Sequence, residues 1–255
     1  MNKQTEKIIV AAKAGGEILN KYFGQSLETT QKSIVSDFRT KADLESEEQI
    51  LKILNQEFPD YNIISEEMGE RNNNSEYTFF IDPLDGTNNF VLGLPNFSVS
   101  IGLLKDDEII TGVVYVPFMD RTYWAEKGKG SFLENKRLKV NDESNILKSS
   151  ISIVIGYTTS PSFQGNLIKK LMDKNLKRHL VNWSVAYDLC LLASGKIEGI
   201  INNNNDLWDY VAGKLIVTEA GGLVTDFMGK KASDKESVFI ASNGSGIHQK
   251  LVGML

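Results

Sequence analysis

Phe79-Phe80-Ile81-Asp82-Pro83-Leu84-Asp85-Gly86-Thr87-Asn88-Asn89-Phe90 is the segment on which the reading of this 255-residue chain turns. A short apolar strand, 77–81, runs straight into two aspartates three apart, with a proline between them and Gly-Thr behind. Pro83 fixes its own φ and removes a backbone donor, which stiffens the Asp82–Asp85 corner. Gly86 lets the backbone pass close to a ligand. A helix starting near Thr87 then points free N–H groups at whatever the carboxylates hold. Two acids beside a positive helix end make a place for a cation and an anion together. A bare Asp-x-x-Asp is more often a turn with an Asp cap. The strand before it, the proline within it and the Gly-Thr behind it set this one apart.

Two further acidic segments lie outward from it. Ile63-Ile64-Ser65-Glu66-Glu67 places acids at the end of an apolar strand, where ligand groups collect in α/β sheets; Glu67 reads as solvated. Leu207-Trp208-Asp209-Tyr210 sets an aspartate at a helix start, which alone reads as an N-cap. The other reactive residue types are scarce. His179 and His248 are far apart, so a His-rich zinc site or a histidine phosphatase is not expected. Cys190 is followed six positions on by Lys196, not arginine, which excludes a Cys-x5-Arg thiolate phosphatase. No Gly-rich phosphate loop and no G-x-S-x-G elbow is present. Carboxylate is abundant, and carboxylates favour hard, oxygen-liking cations.

Composition bounds the rest. The chain has 28 Lys+Arg against 33 Asp+Glu, a net charge of −5 and a pI near 5.3, which disfavours a nucleic-acid partner. At 41% apolar and 24% charged it can bury a sizeable core. No run approaches the roughly 18 apolar residues of a membrane helix, and Met1–Glu6 opens no signal peptide. With one cysteine, a cytoplasmic protein without membrane contact is the expectation.

The periodicity predicts helices over 5–24 and 43–58, strands at 61–64 and 77–81 around a solvated Asn72–Asn74 turn, and a β-meander over 97–104, 109–116 and 121–125. A loop-rich stretch punctuated by Gly128, Gly130, Asn135 and Asn141 follows. From about Ser149 come strand 150–155, helix 163–174, a short strand at Leu180-Val181, helix 184–194 and strand 198–201. The polar run Asn202–Asp206, helix 209–220 stopped by Gly221-Gly222, strand 237–241 and a short helix complete the chain. No linker divides it, so residues 1–255 read as one compact unit. Its N-terminal half, 1–148, carries the main acidic motifs, and 149–255 is a C-terminal α/β half.

Taken in order, Thr40-Lys41-Ala42-Asp43, Ile64-Ser65-Glu66-Glu67, Asp82 to Phe90, and Trp208-Asp209-Tyr210-Val211-Ala212-Gly213 with Glu219-Ala220-Gly221-Gly222 resemble the inositol monophosphatase family. That family lies within the superfamily of lithium-sensitive, magnesium-dependent phosphatases, and the resemblance runs from the N-terminal helix to about Asp226. It implies an α+β fold, a layered αβαβα sandwich of alternating helix and sheet layers, and a homodimer. It also implies a site. Glu66, Asp82 and the Leu84 carbonyl hold one Mg²⁺; Asp82, Asp85 and Asp209 hold a second, with Asp82 bridging. A third, looser Mg²⁺ near Glu66 carries the attacking water. Thr87, hydrogen-bonded to Asp43, is the catalytic pair that orients that water, and the amides of Gly86 and Thr87 hold the phosphate.

The implied substrate contacts are Glu66, Leu84, Asp85, Gly86, Thr87 and Asp209, together with Trp183-Ser184-Val185 and Asn202. Trp183 stands where the family usually has glycine, so either the pocket rim differs or the indole packs beside the helix start. Asn202 stands where inositol-specific members carry Glu, which weakens the case for inositol and leaves the phosphatase chemistry untouched.

Charge arithmetic agrees independently. Glu66, Asp82, Asp85 and Asp209 sum to −4, which two Mg²⁺ neutralise, and helix N-termini near Thr87, Ser184 and Asp209 help a phosphate dianion. Two metals suit in-line displacement on phosphorus, and an all-oxygen set favours Mg²⁺ over zinc. The expectation is a Mg²⁺-dependent phosphomonoesterase of a small phosphorylated metabolite, inositol 1-phosphate first. Fructose-1,6-bisphosphate, NADP and 3′-phosphoadenosine 5′-phosphate are the alternatives within the class. A non-catalytic dimeric binding module is the alternative outside it.

Overall fold

Period-two alternation along the strands decides how the layers stack. The computed structural model describes residues 1–34 and 37–254. Its helices are α1 (Lys3–Tyr22), α2 (Lys41–Glu57), α3 (Thr87–Val91), α4 (Pro161–Asp173), α5 (Val185–Ala193), α6 (Leu207–Glu219) and α7 (Gly246–Val252). The strands are β1 (Thr29–Gln31), β2 (Phe38–Thr40), β3 (Asn62–Ser65), β4 (Gly69–Arg71), β5 (Tyr77–Asp85), β6 (Ser98–Lys105), β7 (Glu108–Val116), β8 (Arg121–Glu126), β9 (Gly130–Leu133), β10 (Lys136–Arg137), β11 (Ser150–Ile155), β12 (Arg178–Leu180), β13 (Gly199–Asn203), β14 (Leu223–Thr225) and β15 (Val238–Ser242).

Phe79, Ile81, Leu103, Val113 and Tyr115 face one side of a sheet and pack with Ile8, Leu19, Ile50 and Leu54 of α1 and α2. Phe80, Leu104, Val114 and Val116 face the other side and share a core with α5 and α6. That core continues onto Val154, Ile200, Phe239 and Ala241 of a second sheet. The opposite face of the second sheet, through Ile151, Ile153, Ile201 and Ile240, packs on Leu167 and Leu171 of α4 and on Ile247 and Leu251 of α7. The layers are therefore α1/α2, sheet, α5/α6, sheet, α4/α7, an αβαβα sandwich of α+β class. The first sheet has eight strands in the order β10-β9-β8-β7-β6-β5-β3-β4, and the second has five in the order β12-β11-β13-β15-β14. In the first, only β3 and β5 pair in parallel; in the second, β11 runs parallel to β12 and β13, and β15 antiparallel to β13 and β14.

Several boundaries differ from the sequence reading. The strand expected to stop at Ile81 continues to Asp85. Asn202 and Asn203, assigned to a polar run, are the last residues of β13, and α6 starts at Leu207, ahead of Asp209. The stretch from Gly128 to Asn141 contains the β9–β10 hairpin, and the short pair β1–β2 and the strand β14 that pairs with β15 were not anticipated. These strands are two to four residues long, too short to show a period.

Where α6 crosses the large sheet, the paired residues Gly102 and Gly112 make room for it. A Cβ on Gly112 would lie 2.4 Å from the Ala212 carbonyl oxygen, and one on Gly102 2.5 Å from a Val211 methyl. The contact at Gly112 is against backbone, so the helix that carries Asp209 would have to move. Gly112→Ala should therefore destabilise the protein by about 1–3 kcal/mol. Gly165→Ala, in α4 with open space around it, should instead stabilise it by up to about 1 kcal/mol. Thermal unfolding of the two variants checks both signs.

Candidate active site

β5 pairs Asp82 with Ser100 and Asp85 with Ser98, and the register shifts between the two. Residues three apart on a regular strand face opposite sides; one extra residue, a β-bulge, returns them to the same side. Ser98 and Ser100, two apart on β6, share a face, so Asp82 and Asp85 share it too. Pro83 sits inside the bulge, where its missing N–H costs no ladder bond. The Asp82 carboxylate accepts from the Leu84 amide at 2.9 Å, which closes the corner. Gly86 follows with φ 92°, and a Cβ there would meet the Asn96 carbonyl oxygen at 2.8 Å. Both facts require glycine, and the turn they permit starts α3 at Thr87.

Thr87 is directed inward: its hydroxyl lies 3.2 Å from Asp43 Oδ1 and 3.1 Å from the Leu84 carbonyl. Asp43 is fully buried near the start of α2, where its Oδ2 accepts from the Thr40 amide at 2.7 Å and the Thr40 hydroxyl at 2.6 Å. Burial pushes its carboxyl up to about 6, against these bonds.

Glu66 follows β3, its amide bonded to the Ile81 carbonyl of the neighbouring strand at 3.1 Å. Its carboxyl meets Lys32 at 2.7 Å, and Lys32 is also bonded to Glu67. Glu67, read from the sequence as solvated, has a buried carboxylate. Asp209 is not the N-cap of α6. Asp206 is, and Asp209 accepts from the Asp206 amide at 2.9 Å in a capping box. Burial raises all four acids, Glu66 to about 7, Asp85 to about 6, and Asp82 and Asp209 well above the usual carboxylate range. Repulsion adds to burial at three of them: Glu67 acts on Glu66, while Asp82 feels Glu66, Asp209 and Asp85, and Asp209 feels Glu66 and Asp85.

Among the described residues, no three His, Cys, Asp or Glu side chains already form a finished metal cage. Each acid holds a protein partner instead. Asp85 is the clearest case: its carboxylate takes the Ser184 hydroxyl at 2.6 Å, the Ser98 hydroxyl at 3.0 Å, and the Val185 and Ala186 amides at 3.0 and 3.1 Å. It thus caps α5 from outside. The donor set is nonetheless all oxygen, and its ionised form calls for divalent counter-charge, with Lys32 the one cation bonded to it among the described residues. In charge and ligand type these residues fit hard divalent cations.

The remaining expected contacts divide. Ser184 and Val185 are buried and turned onto Asp85, so neither faces outward. Asn202 is also fully buried, its amide committed to the Ser237 carbonyl and to Asn205 at 2.8 Å each. Trp183, just before the α5 N-cap Ser184, is 54% exposed with φ 53°, a left-handed conformation that costs a non-glycine residue roughly 1–2 kcal/mol. The turn that holds it is tied down on both sides. Asn89 donates to the Asn182 carbonyl at 2.6 Å, and Asn182 donates to buried Asp188 at 2.7 Å.

Sequence reading missed Lys32, Asp188 and Tyr157. The Tyr157 hydroxyl accepts from Asn88 at 2.9 Å, and Glu66 and Asp209 add to the burial that pushes its phenol up to about 12. Asn88 directly follows Thr87, but nothing in the sequence joins it to a tyrosine 69 positions away.

The comparisons with known proteins bear on this geometry. The inositol monophosphatase family model matches residues 1–254. The chain belongs to the inositol monophosphatase family. It is 37% identical over 232 residues to an Aquifex aeolicus protein named fructose-1,6-bisphosphatase/inositol-1-monophosphatase, covering 88% of this chain and 86% of that one. The crystal structure of the extragenic suppressor protein SuhB from Bartonella henselae superposes with a TM-score of 0.93 at 30% identity, covering 99% and 98% of the two chains. An inositol monophosphatase (IMPase) from Thermotoga maritima superposes with a TM-score of 0.90 at 33% identity, covering 100% and 96%. Membership of the inositol monophosphatase family makes the chain a phosphatase of that family, and these relatives' names differ in substrate. No helix among the described residues is long and apolar enough to cross a membrane.

Asp188, on the helix whose first amides bond Asp85, gives a pH prediction. Burial raises its carboxyl to about 7, above the unfolded value near 4. The folded state therefore binds the proton more tightly, and stability falls as pH rises from about 4 to 7, then levels. Asp188→Asn should remove this dependence: wild type loses stability relative to the variant across that window and is parallel to it above. Parallel curves throughout would place an ordinary carboxylate at this position.

Proposed function

We propose that this chain is a Mg²⁺-dependent phosphomonoesterase acting on a small alcohol phosphate, with inositol 1-phosphate the first candidate. The observation that carries the reading is the bulge in β5. It sets Asp82 and Asp85 on one face, in electrostatic contact with Glu66 and Asp209, next to a threonine hydroxyl already bonded to a buried aspartate. Glu66, Asp82, Asp85, Asp209 and the Leu84 carbonyl would hold two or three Mg²⁺. Bound there, the cations supply Lewis-acid polarisation of the phosphoryl group and offset the charge of the dianion.

The chain's own groups do the rest. Thr87 donates its single hydrogen bond to Asp43 or the Leu84 carbonyl, which leaves its oxygen lone pairs to accept a hydrogen bond from a water and so orient it. The amides of Gly86 and Thr87 make no hydrogen bond within the described residues and are donors for a phosphate oxygen. Buried Asp43 keeps the Thr87 hydroxyl from turning away. Neither Cys190 nor either histidine is used, and Cys190 and His248 are buried. The homodimer and the cytoplasmic location implied by the sequence belong to the same reading.

Buried Asn202 supports no direct contact with an inositol ring, and exposed Trp183 and Tyr157 lie on the two loops that α3 ties down through Asn89 and Asn88. The choice among inositol 1-phosphate, fructose-1,6-bisphosphate, NADP and 3′-phosphoadenosine 5′-phosphate therefore rests on assay. Phosphate release from one of them with Mg²⁺, at a kcat/KM of about 10⁴ M⁻¹s⁻¹ or more, and none with EDTA, is the expected result. Release that persists undiminished in EDTA, or none from any of the four with Mg²⁺, would overturn the reading. Thr87→Ala should lower kcat by about 10²–10⁴-fold while Mg²⁺ affinity stays at the wild-type value. Equal loss of both would make Thr87 a structural residue.

A further inference from the structure

On α2, Asp43, Ser46 and Glu47 are buried polar residues at i, i+3 and i+4, so they share one face of the helix. Each reaches a different segment of the site. Asp43 meets Thr87. Ser46 donates to the Pro83 carbonyl at 2.9 Å, inside the bulge. Glu47 Oε1 accepts from the Ser65 hydroxyl and from the amides of Glu67 and Met68 at 3.2 and 3.3 Å. Those three donors flank Glu66, Ser65 before it and Glu67 and Met68 after it.

A carboxylate only 1% exposed is expensive to retain unless its bonds do something. α2 does not need it for docking, because Ile50, Leu51 and Leu54 already seat the helix in the core. Among the described residues, every side-chain bond that Glu47 makes goes to the Ser65–Met68 segment. Lys32 bonds the carboxylates of Glu66 and Glu67, and Arg39 adds a weaker contact to Glu67 at 3.5 Å. The Glu66 carboxylate thus sits between Lys32, which bonds it directly, and Glu47, a buried acid that bonds the residues around it.

We propose that Glu47 is a positioning residue for cation binding: by holding the Ser65 hydroxyl before Glu66 and the backbone after it, it aims the Glu66 carboxylate at the acid cluster. The inference rests on the functional reading above and adds a residue that touches neither substrate nor cation. Second-layer partners of ligating carboxylates set affinity in this way.

The test is isothermal titration of the folded protein with Mg²⁺ alone, without substrate, alongside thermal unfolding in EDTA. Glu47→Ala should weaken Mg²⁺ binding by about 10–100-fold. Glu47→Gln, which keeps an acceptor at the same place, should recover most of that loss. Leu51→Ala, a packing change on the same helix, should lower the unfolding temperature and leave the affinity unchanged. Wild-type Mg²⁺ affinity in Glu47→Ala, whatever its unfolding temperature, overturns the proposal. Should Glu47→Ala not fold, Ser65→Ala removes one donor to the same oxygen and should weaken binding; unchanged affinity there overturns it equally. A wild-type protein that binds no Mg²⁺ overturns the functional reading, and this inference with it.

Discussion

In β5, the three steps from Asp82 to Asp85 span what β6 covers in two, between Ser100 and Ser98. Without that extra residue one of the two aspartates would face the α1/α2 core, and an ionised carboxylate there would be far costlier than any bond could offset. With it, both face the α5/α6 side, where α5 begins at Ser184 and α6 brings Asp209. Pro83 makes the bulge compatible with a central strand, since the residue that cannot donate is the one left unpaired. Gly86, confined by both φ and space, then turns the chain so that Thr87 looks back toward Asp43.

The surrounding layers hold this corner in place. α2 supports it from below through Asp43 and Ser46, while α6 approaches the large sheet closely because Gly102 and Gly112 lack side chains. α5 contributes its amides, and its N-terminal dipole partly offsets the buried charge of Asp85. Among the described residues, Lys32 supplies the one full positive charge bonded to the cluster. Four acids against one lysine is a balance that favours divalent cations, and this is the physical basis for reading the corner as a phosphatase site rather than as a structural turn.

Much of this was legible in the sequence, and the parts that were not share a cause. Long periodic elements such as α1, α2 and the β6–β8 meander carry their faces in their residue spacing. The Asp82–Thr87 corner was legible because proline, glycine and two acids each restrict the backbone differently. The bulge itself was not, since it depends on register with β6. Nor was the role of Asp206, because an aspartate three residues before another can cap a helix from either position. The bonds of Ser184 and Val185 to Asp85 were not legible either, a pairing across about a hundred residues. Asn202 looked like part of a polar loop, yet β-pairing with Phe239 buries it. Lys32, Glu47 and Tyr157 act through contacts that only the folded chain creates.

Anomalous diffraction from crystals of this protein equilibrated with Mn²⁺, an oxygen-liking stand-in for Mg²⁺, tests the central claim most directly. At least two anomalous peaks should lie within about 2.5 Å of carboxylate oxygens of the cluster, with Asp82 touching both. Density that shows Asp82 and Asp85 on opposite faces of β5, or no peak at Asp82 in crystals that bind Mn²⁺ elsewhere, would contradict it.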